Sequence, residues 1–286
     1  MKKIVISTLL ATTLLLANNN LNSNQTNSTS KIVESYEKLA SQGEIEAMFD
    51  LGLMYVTGDG VKQDYAKARE WFLKAVSKNN DTMSAYNLAL IYKNGLGVPK
   101  NDKEAYKYFL IAANKNYAQA QYMLGNMIEK GEGAKKDLKE AFSWFLKAAK
   151  QGHILSEYRV GKMYRLGEGV AKSDTEAKKW YELSANKGNA FAQANLGVMY
   201  KQGIATKQDY KEAFNWFEKS ANQKNILGQL NLALMYQNGL GVEKDLKEAF
   251  KLYQLASDEG NSSSAQYNLG LMYLKGDGIE KNIDKT

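Results

Sequence analysis

The pattern of apolar and polar positions repeats along most of the chain. One phrase reads LGLMYVTGDGV from Leu51, LALIYKNGLGV from Leu88, LGNMIEKGEGA from Leu124 and VGKMYRLGEGV from Val160. It returns as LGVMYKQGIAT from Leu196, LALMYQNGLGV from Leu232 and LGLMYLKGDGI from Leu269. The starting positions lie 37, 36, 36, 36, 36 and 37 residues apart. A second phrase falls between them, beginning at Ala68, Ala105, Ala141, Ala177, Ala213 and Ala249, as in AREWFLKAV and AFSWFLKAA. Self-similarity at such a period is the mark of a repeat architecture.

Each period predicts two helices. In the first, the slots of Ala47, Leu51, Met54 and Tyr55 recur at i, i+4, i+7 and i+8, a helical core stripe. The glycine that follows (Gly58, Gly95, Gly131, Gly167, Gly203, Gly239, Gly276) suits the left-handed residue that ends a helix. The second helix opens on a cap. Asp137, Asp209 and Asp245 each stand three residues before a glutamate, the spacing of a capping box, and Asn101 and Ser173 do the same before Glu104 and Glu176. An alanine slot then permits close approach, and an aromatic pair such as Trp71-Phe72 or Trp144-Phe145 fills the space between layers. Asn79, Asn116, Gly152, Gly188 and Gly260 are read as its end.

One such pair cannot bury its apolar face alone, so it must stack on its neighbours. The fold class is all-α, an α-solenoid of stacked antiparallel helix pairs. Residues 31–43 are expected to form a half-repeat helix at its start, in which Tyr36, Leu39 and Ala40 fit second-helix slots. The solenoid proper occupies 44–286, as six pairs and a seventh unit that shows a first helix only. Its face (Leu269, Met272, Tyr273) would be open to self-association.

Composition changes the picture in two places. The chain has 286 residues, no cysteine, one histidine and one proline, with a net charge of +7. A disulfide framework, a thiol nucleophile and any mechanism needing two imidazoles are excluded. The other place is the N-terminus. Met1-Lys2-Lys3 followed by an apolar stretch over 4–17 reads as a secretory signal, too short to span a membrane, with cleavage after Ala17. Residues 18–30 are polar and nearly uncharged, and read as a flexible linker. The mature protein is therefore expected in the periplasm or outside the cell.

These phrases resemble Sel1-like repeats, relatives of the tetratricopeptide repeat, over about residues 44–286. The match is nearly complete at 47–79 and 120–152. Ile128, Ala205 and Leu252 depart from it, in place of a tyrosine, the second loop glycine and an aromatic. The resemblance implies a right-handed superhelix whose first helices line a concave, peptide-holding face. It also implies an alternative, a β-lactamase-like or penicillin/cell-wall-binding protein, as suggested for some secreted relatives of 36-residue period. Those relatives carry a disulfide in each repeat, and this chain has no cysteine.

Other candidate chemistry reduces to structure. The GxG loops lack the preceding strand and third glycine of a dinucleotide site. Trp71, Trp144, Trp180 and Trp216 share one repeat slot and read as core. Ser-x-x-Lys occurs at Ser35 and Ser184 without a Lys-Thr-Gly or Ser-Asp-Asn partner. His153 follows a turn glycine and reads as solvated, with no acidic cluster for a metal. Lysines alternate with glutamates, a solvated surface rather than a polyanion track. No catalysis, cofactor, metal or nucleic acid is expected.

What remains is one face of the first helices. The slot two residues before the core leucine holds Phe49, Tyr86, Tyr122, Tyr158 and Tyr267, with alanine or leucine in the other units. The following turns of that face add Asn126, Lys162, Lys93 and Arg165. As the resemblance implies, these nine residues are the candidate partner-binding set, and a protein or peptide is the expected partner.

Overall fold

The computed structural model describes residues 23–260 and 262–280 of the chain. Among them are fourteen helices and no strand. They are α1 (Ser23–Ser41), α2 (Ile45–Thr57), α3 (Tyr65–Asn79), α4 (Thr82–Asn94), α5 (Asp102–Asn114), α6 (Ala118–Lys130) and α7 (Leu138–Lys150). After these come α8 (Ile154–Leu166), α9 (Asp174–Asn186), α10 (Ala190–Gln202), α11 (Tyr210–Ala221), α12 (Ile226–Asn238), α13 (Leu246–Gly260) and α14 (Ser263–Lys275). Even-numbered helices from α2 on are the first of a pair, odd-numbered ones the second. The fold is an all-α stack of helix pairs of the solenoid class. It divides into two compact units, Met1–Trp144 and Phe145–Thr286.

The expected signal segment, 1–17, lies outside the described residues, as do 18–22 of the expected linker. The rest of that linker differs from expectation: helix begins at Ser23, not near Lys31. Residues 23–30 hold Ser, Asn, Thr and Gln and no apolar stripe. Their weak helix propensity gives no sequence signal. Once the amphipathic turns around Val33, Tyr36 and Ala40 are packed on α2, extending a formed helix is far easier than nucleating one.

Local rules set the boundaries. Asp137, Asp209 and Asp245 accept the backbone N–H of Glu140, Glu212 and Glu248, and Asn101 and Ser173 accept those of Glu104 and Glu176. Each such cap stabilises its helix by about 1 kcal/mol. First helices end on a left-handed glycine, as at Gly58, whose N–H returns to the Met54 carbonyl at 2.8 Å. Among second helices, α3 ends at Asn79 with Asn80 as its left-handed cap at φ 46°, and α13 runs through Gly260.

The core forms where the two periodicities meet. The alanine slot of the second helix is fully buried in every unit, and four residues on so is its ring: Phe72, Phe109, Phe145, Tyr181, Phe217 and Tyr253. Burying such a ring contributes about 2–3 kcal/mol. On the first helices Leu51, Leu88, Leu124, Val160 and Leu196 have no exposed area. Three of the four tryptophans are buried and Trp71 is half-buried under Lys74, whose ammonium lies 3.9 Å from the ring centre.

In the Phe145–Thr286 unit a polar ladder ties the two helices of each repeat together. Glu157 pairs with Lys187 at 2.5 Å, Gln223 donates to Gln193 at 2.8 Å, and Gln229 donates to Glu259 at 3.2 Å. Each partner is 30 residues further on, so one slot of the first helix meets the end of that repeat's second helix and the turn behind it.

Ala205 breaks a local rule. It takes φ 54° at the second loop position, which elsewhere is glycine at φ 65–75°. Left-handed backbone costs an L-residue about 1–2 kcal/mol, part of which glycine returns through its freer unfolded chain. Ala205→Gly is expected to stabilise the fold by about 0.5–1 kcal/mol, read as a rise in melting temperature of about 2 °C. A lower melting temperature would show that the methyl group makes packing contacts worth more than the strain.

Candidate functional site

On the first helices the core stripe takes the slots of the buried leucine and its neighbours at −4 and +3. The opposite face carries the slots at −5, −2, +2 and +5, since 3.6 residues per turn returns these to one side.

In the Met1–Trp144 unit this face is largely used up by packing. Phe49 and Tyr86, expected to be accessible, are each only 3% exposed. The Phe49 ring lies 6.0 Å from Phe72, and Tyr86 sits between Phe109 at 5.6 Å and Tyr117 at 5.1 Å. The aromatic N-cap of the next first helix covers Tyr86, and burial holds its hydroxyl well above the usual range. Lys93 is engaged by Glu132 at 3.0 Å. Asn126 donates to the Tyr122 carbonyl one turn earlier, and the Tyr122 ring is half-buried.

The Phe145–Thr286 unit differs. Along α8, α10 and α12 the face reads Leu155-Tyr158-Lys162-Arg165, Phe191-Ala194-Val198-Lys201 and Leu227-Leu230-Leu234-Gln237. Leu155, Phe191 and Leu227, 36 residues apart, are 43, 58 and 40% exposed. Tyr158 is half-buried with its ring 5.8 Å from Phe191 and 6.0 Å from Tyr181, so the face is continuous from one repeat to the next. Arg165 is held by Asp174 at 3.2 Å, while Lys162 is half-buried without an ion pair among the described residues. On α14, Tyr267 is exposed and Met272 is buried.

The structure thus brings Tyr158, Lys162 and Arg165 onto one open surface. It turns Phe49 and Tyr86 inward and places Tyr267 on a separate exposed helix. The exposed row Leu155, Phe191 and Leu227 was not in the sequence set. Its signal was available: an apolar residue recurring three times at the repeat period just inside the helix start, where a core role would require a different angular position.

Two other candidates are absorbed by packing. Ser184 is buried, and its hydroxyl donates to the Ile154 carbonyl at 2.8 Å, while Lys187 of the same tetrad holds Glu157. His153 is not a solvated turn residue but the N-cap of α8. Its Nδ1 accepts the Ser156 N–H at 3.3 Å, and burial lowers its pKa.

Alongside these sites lies a cleft of about 410 Å³, lined by Lys201, Gln208, Tyr210, Leu234, Asn238 and Leu240 among others. Lys201 Nζ donates to Asn231 Oδ1 at 2.6 Å, and burial depresses its pKa.

The repeats match the Sel1 repeat at 45–80, 82–117, 118–153, 154–189, 190–225, 226–261 and 263–286. Among solved structures, the chain is similar to c5321, a protective antigen of uropathogenic Escherichia coli strains displaying an SLR fold. Identity is 33% with a TM-score of 0.80, over 93% of this chain and 54% of that one. It therefore spans about half the length of that antigen. A Sel1 repeat protein from Oxalobacter formigenes is 26% identical with a TM-score of 0.74, over 94% of this chain and 76% of that one. Among curated proteins none matches. Seven matched repeats over most of its length, with a scaffold fold typical of protein-interaction modules, show that this chain belongs to the Sel1 repeat family.

Proposed function

We propose that this protein is an exported, non-enzymatic scaffold that holds a protein or peptide partner against the first-helix face of its Phe145–Thr286 unit. The observation that carries the reading is the exposed row Leu155, Phe191 and Leu227 beside Tyr158. Exposed apolar side chains aligned on successive repeats offer a peptide a strip of anchor points, and an exposed aromatic ring is a typical hot spot. Export is supported by the Lys-Lys-apolar-Ala layout of residues 2–17. The antigenic character of the E. coli relative fits a protein met outside the cytoplasm.

The test uses a photo-crosslinking residue at position 191 in the exported compartment, followed by affinity measurement on the partner it traps. Phe191→Ala should weaken that affinity about 30-fold, the equivalent of 2 kcal/mol, and leave the melting temperature unchanged. Crosslinks that form equally well from exposed Lys219, on the second helix α11, would sink the assignment of the face. N-terminal sequencing of the exported form is expected to begin near Asn18. An intact Met1 on a cytosolic protein would overturn the export proposal.

A further inference from the structure

Lys201 stands out among the cations at the last slot of the first-helix face. Lys93, at the same slot, is neutralised by Glu132, 39 residues on in the next loop. Arg165, again at that slot, is neutralised by Asp174, nine residues on at the start of its second helix. For Lys201 the corresponding positions are Leu240 and Tyr210, neither of them a carboxylate, and both line the cleft beside it. Among the described residues the ammonium donates to the amide oxygen of Asn231 and lies 5.8 Å from the Phe217 ring centre, with no carboxylate paired to it. A partly buried ammonium is stabilised by a carboxylate far more than by a neutral amide.

We infer that the cleft at Lys201 receives an Asp or Glu side chain of the bound peptide, with a flanking aliphatic residue against Leu234 and Leu240. The inference rests on the scaffold reading above and names the chemistry of its partner. The donors are in place. Tyr210 accepts a hydrogen bond from Gln208 Nε2 at 3.1 Å, which leaves its own hydroxyl proton available, and Gln208 is fixed by a second bond to the Lys201 carbonyl at 2.9 Å. The apolar half of the face, Phe191 and Val198 on α10 with Leu230 on α12, runs alongside. An acidic residue set among aliphatic ones complements both halves, whereas a basic or purely polar segment would leave the ammonium uncompensated.

The test is selection of a displayed random dodecapeptide library on the whole protein. Enriched peptides should carry Asp or Glu next to Leu, Ile or Val, and replacing that acid by its amide should weaken binding at least tenfold. Lys201→Met should lose the same tenfold for acidic peptides and none for their amide versions, while Lys201→Arg retains most of it. Leu240→Glu supplies an internal carboxylate where Lys93 has Glu132, and should abolish the preference for acidic peptides while keeping the melting temperature at or above that of the parent. Enriched peptides that bind Lys201→Met as well as the parent, or without an acid, would overturn the carboxylate cleft and leave the scaffold reading standing. If no peptide is enriched, the scaffold reading fails and this inference with it.

Discussion

Gly133→Ala is expected to destabilise the protein by roughly 3 kcal/mol or more, whereas Gly188→Ala costs only about 1 kcal/mol. Both glycines have positive φ, 75° and 91°. Replacing either imposes the strain of left-handed backbone on an L-residue, about 1–2 kcal/mol. They differ in what the new methyl group meets. At Gly188 nothing lies within 4 Å. At Gly133 an ideal Cβ would stand 2.1 Å from the Asp102 carbonyl oxygen and 3.1 Å from Tyr106 Cβ, at the start of α5. A backbone carbonyl in the first turn of a helix cannot rotate away, so the loop must move off the preceding second helix. Overpacking of this kind adds about 1–3 kcal/mol. The same close approach recurs at Gly241 against the Tyr210 carbonyl and at Gly278 against that of Leu246, each φ positive. The second loop glycine is therefore what lets one repeat dock on the one before. Since long stacks depart from two-state unfolding, the comparison is best made on the midpoints of parallel urea and thermal transitions. Equal losses at the two sites would show that backbone strain alone accounts for the glycine.

That docking contact explains why so much of the fold is legible in the sequence. The loop glycines, the alanine slot and the ring behind it each have one physical reason to recur, and all reappear where periodicity places them. The outer face has no such constraint. Phe49 and Tyr86 share a slot with Tyr158 and Tyr267, yet the four range from 3 to 68% exposed. What decides is a residue at the start of the following first helix. Tyr117, the N-cap of α6, closes over Tyr86, whereas Phe191, one residue into its helix, leans on Tyr158 and remains exposed itself. A single-helix wheel cannot carry that information, because it depends on which side chain the neighbouring turn supplies. Likewise the start of α1 at Ser23 depends on propagation from a packed segment, not on the composition of 23–30. The missing carboxylate at Lys201 emerges only by comparing Leu240 and Tyr210 with Glu132 and Asp174 across repeats.

The polar ladder of the Phe145–Thr286 unit gives the other large effect. Lys187→Met is expected to cost about 3 kcal/mol near neutral pH. Glu157 is 2% exposed and accepts from Lys187 Nζ, which also donates to the Gly152 carbonyl at 3.2 Å. Without the ammonium, a buried carboxylate on α8 is left without its cation. The neighbouring rung shows how to repair it: Gln193 and Gln223 hold these same two positions one repeat on. Gln193 donates to the Ala185 carbonyl at 3.1 Å and accepts from Gln223 at 2.8 Å, with no net charge buried. Glu157→Gln combined with Lys187→Gln should reproduce that rung and recover most of the loss, since replacing both partners of a buried pair leaves no uncompensated charge. A double variant no more stable than Lys187→Met in denaturant titrations would mean that the Glu157–Lys187 charge pair does not hold the two helices of this repeat together.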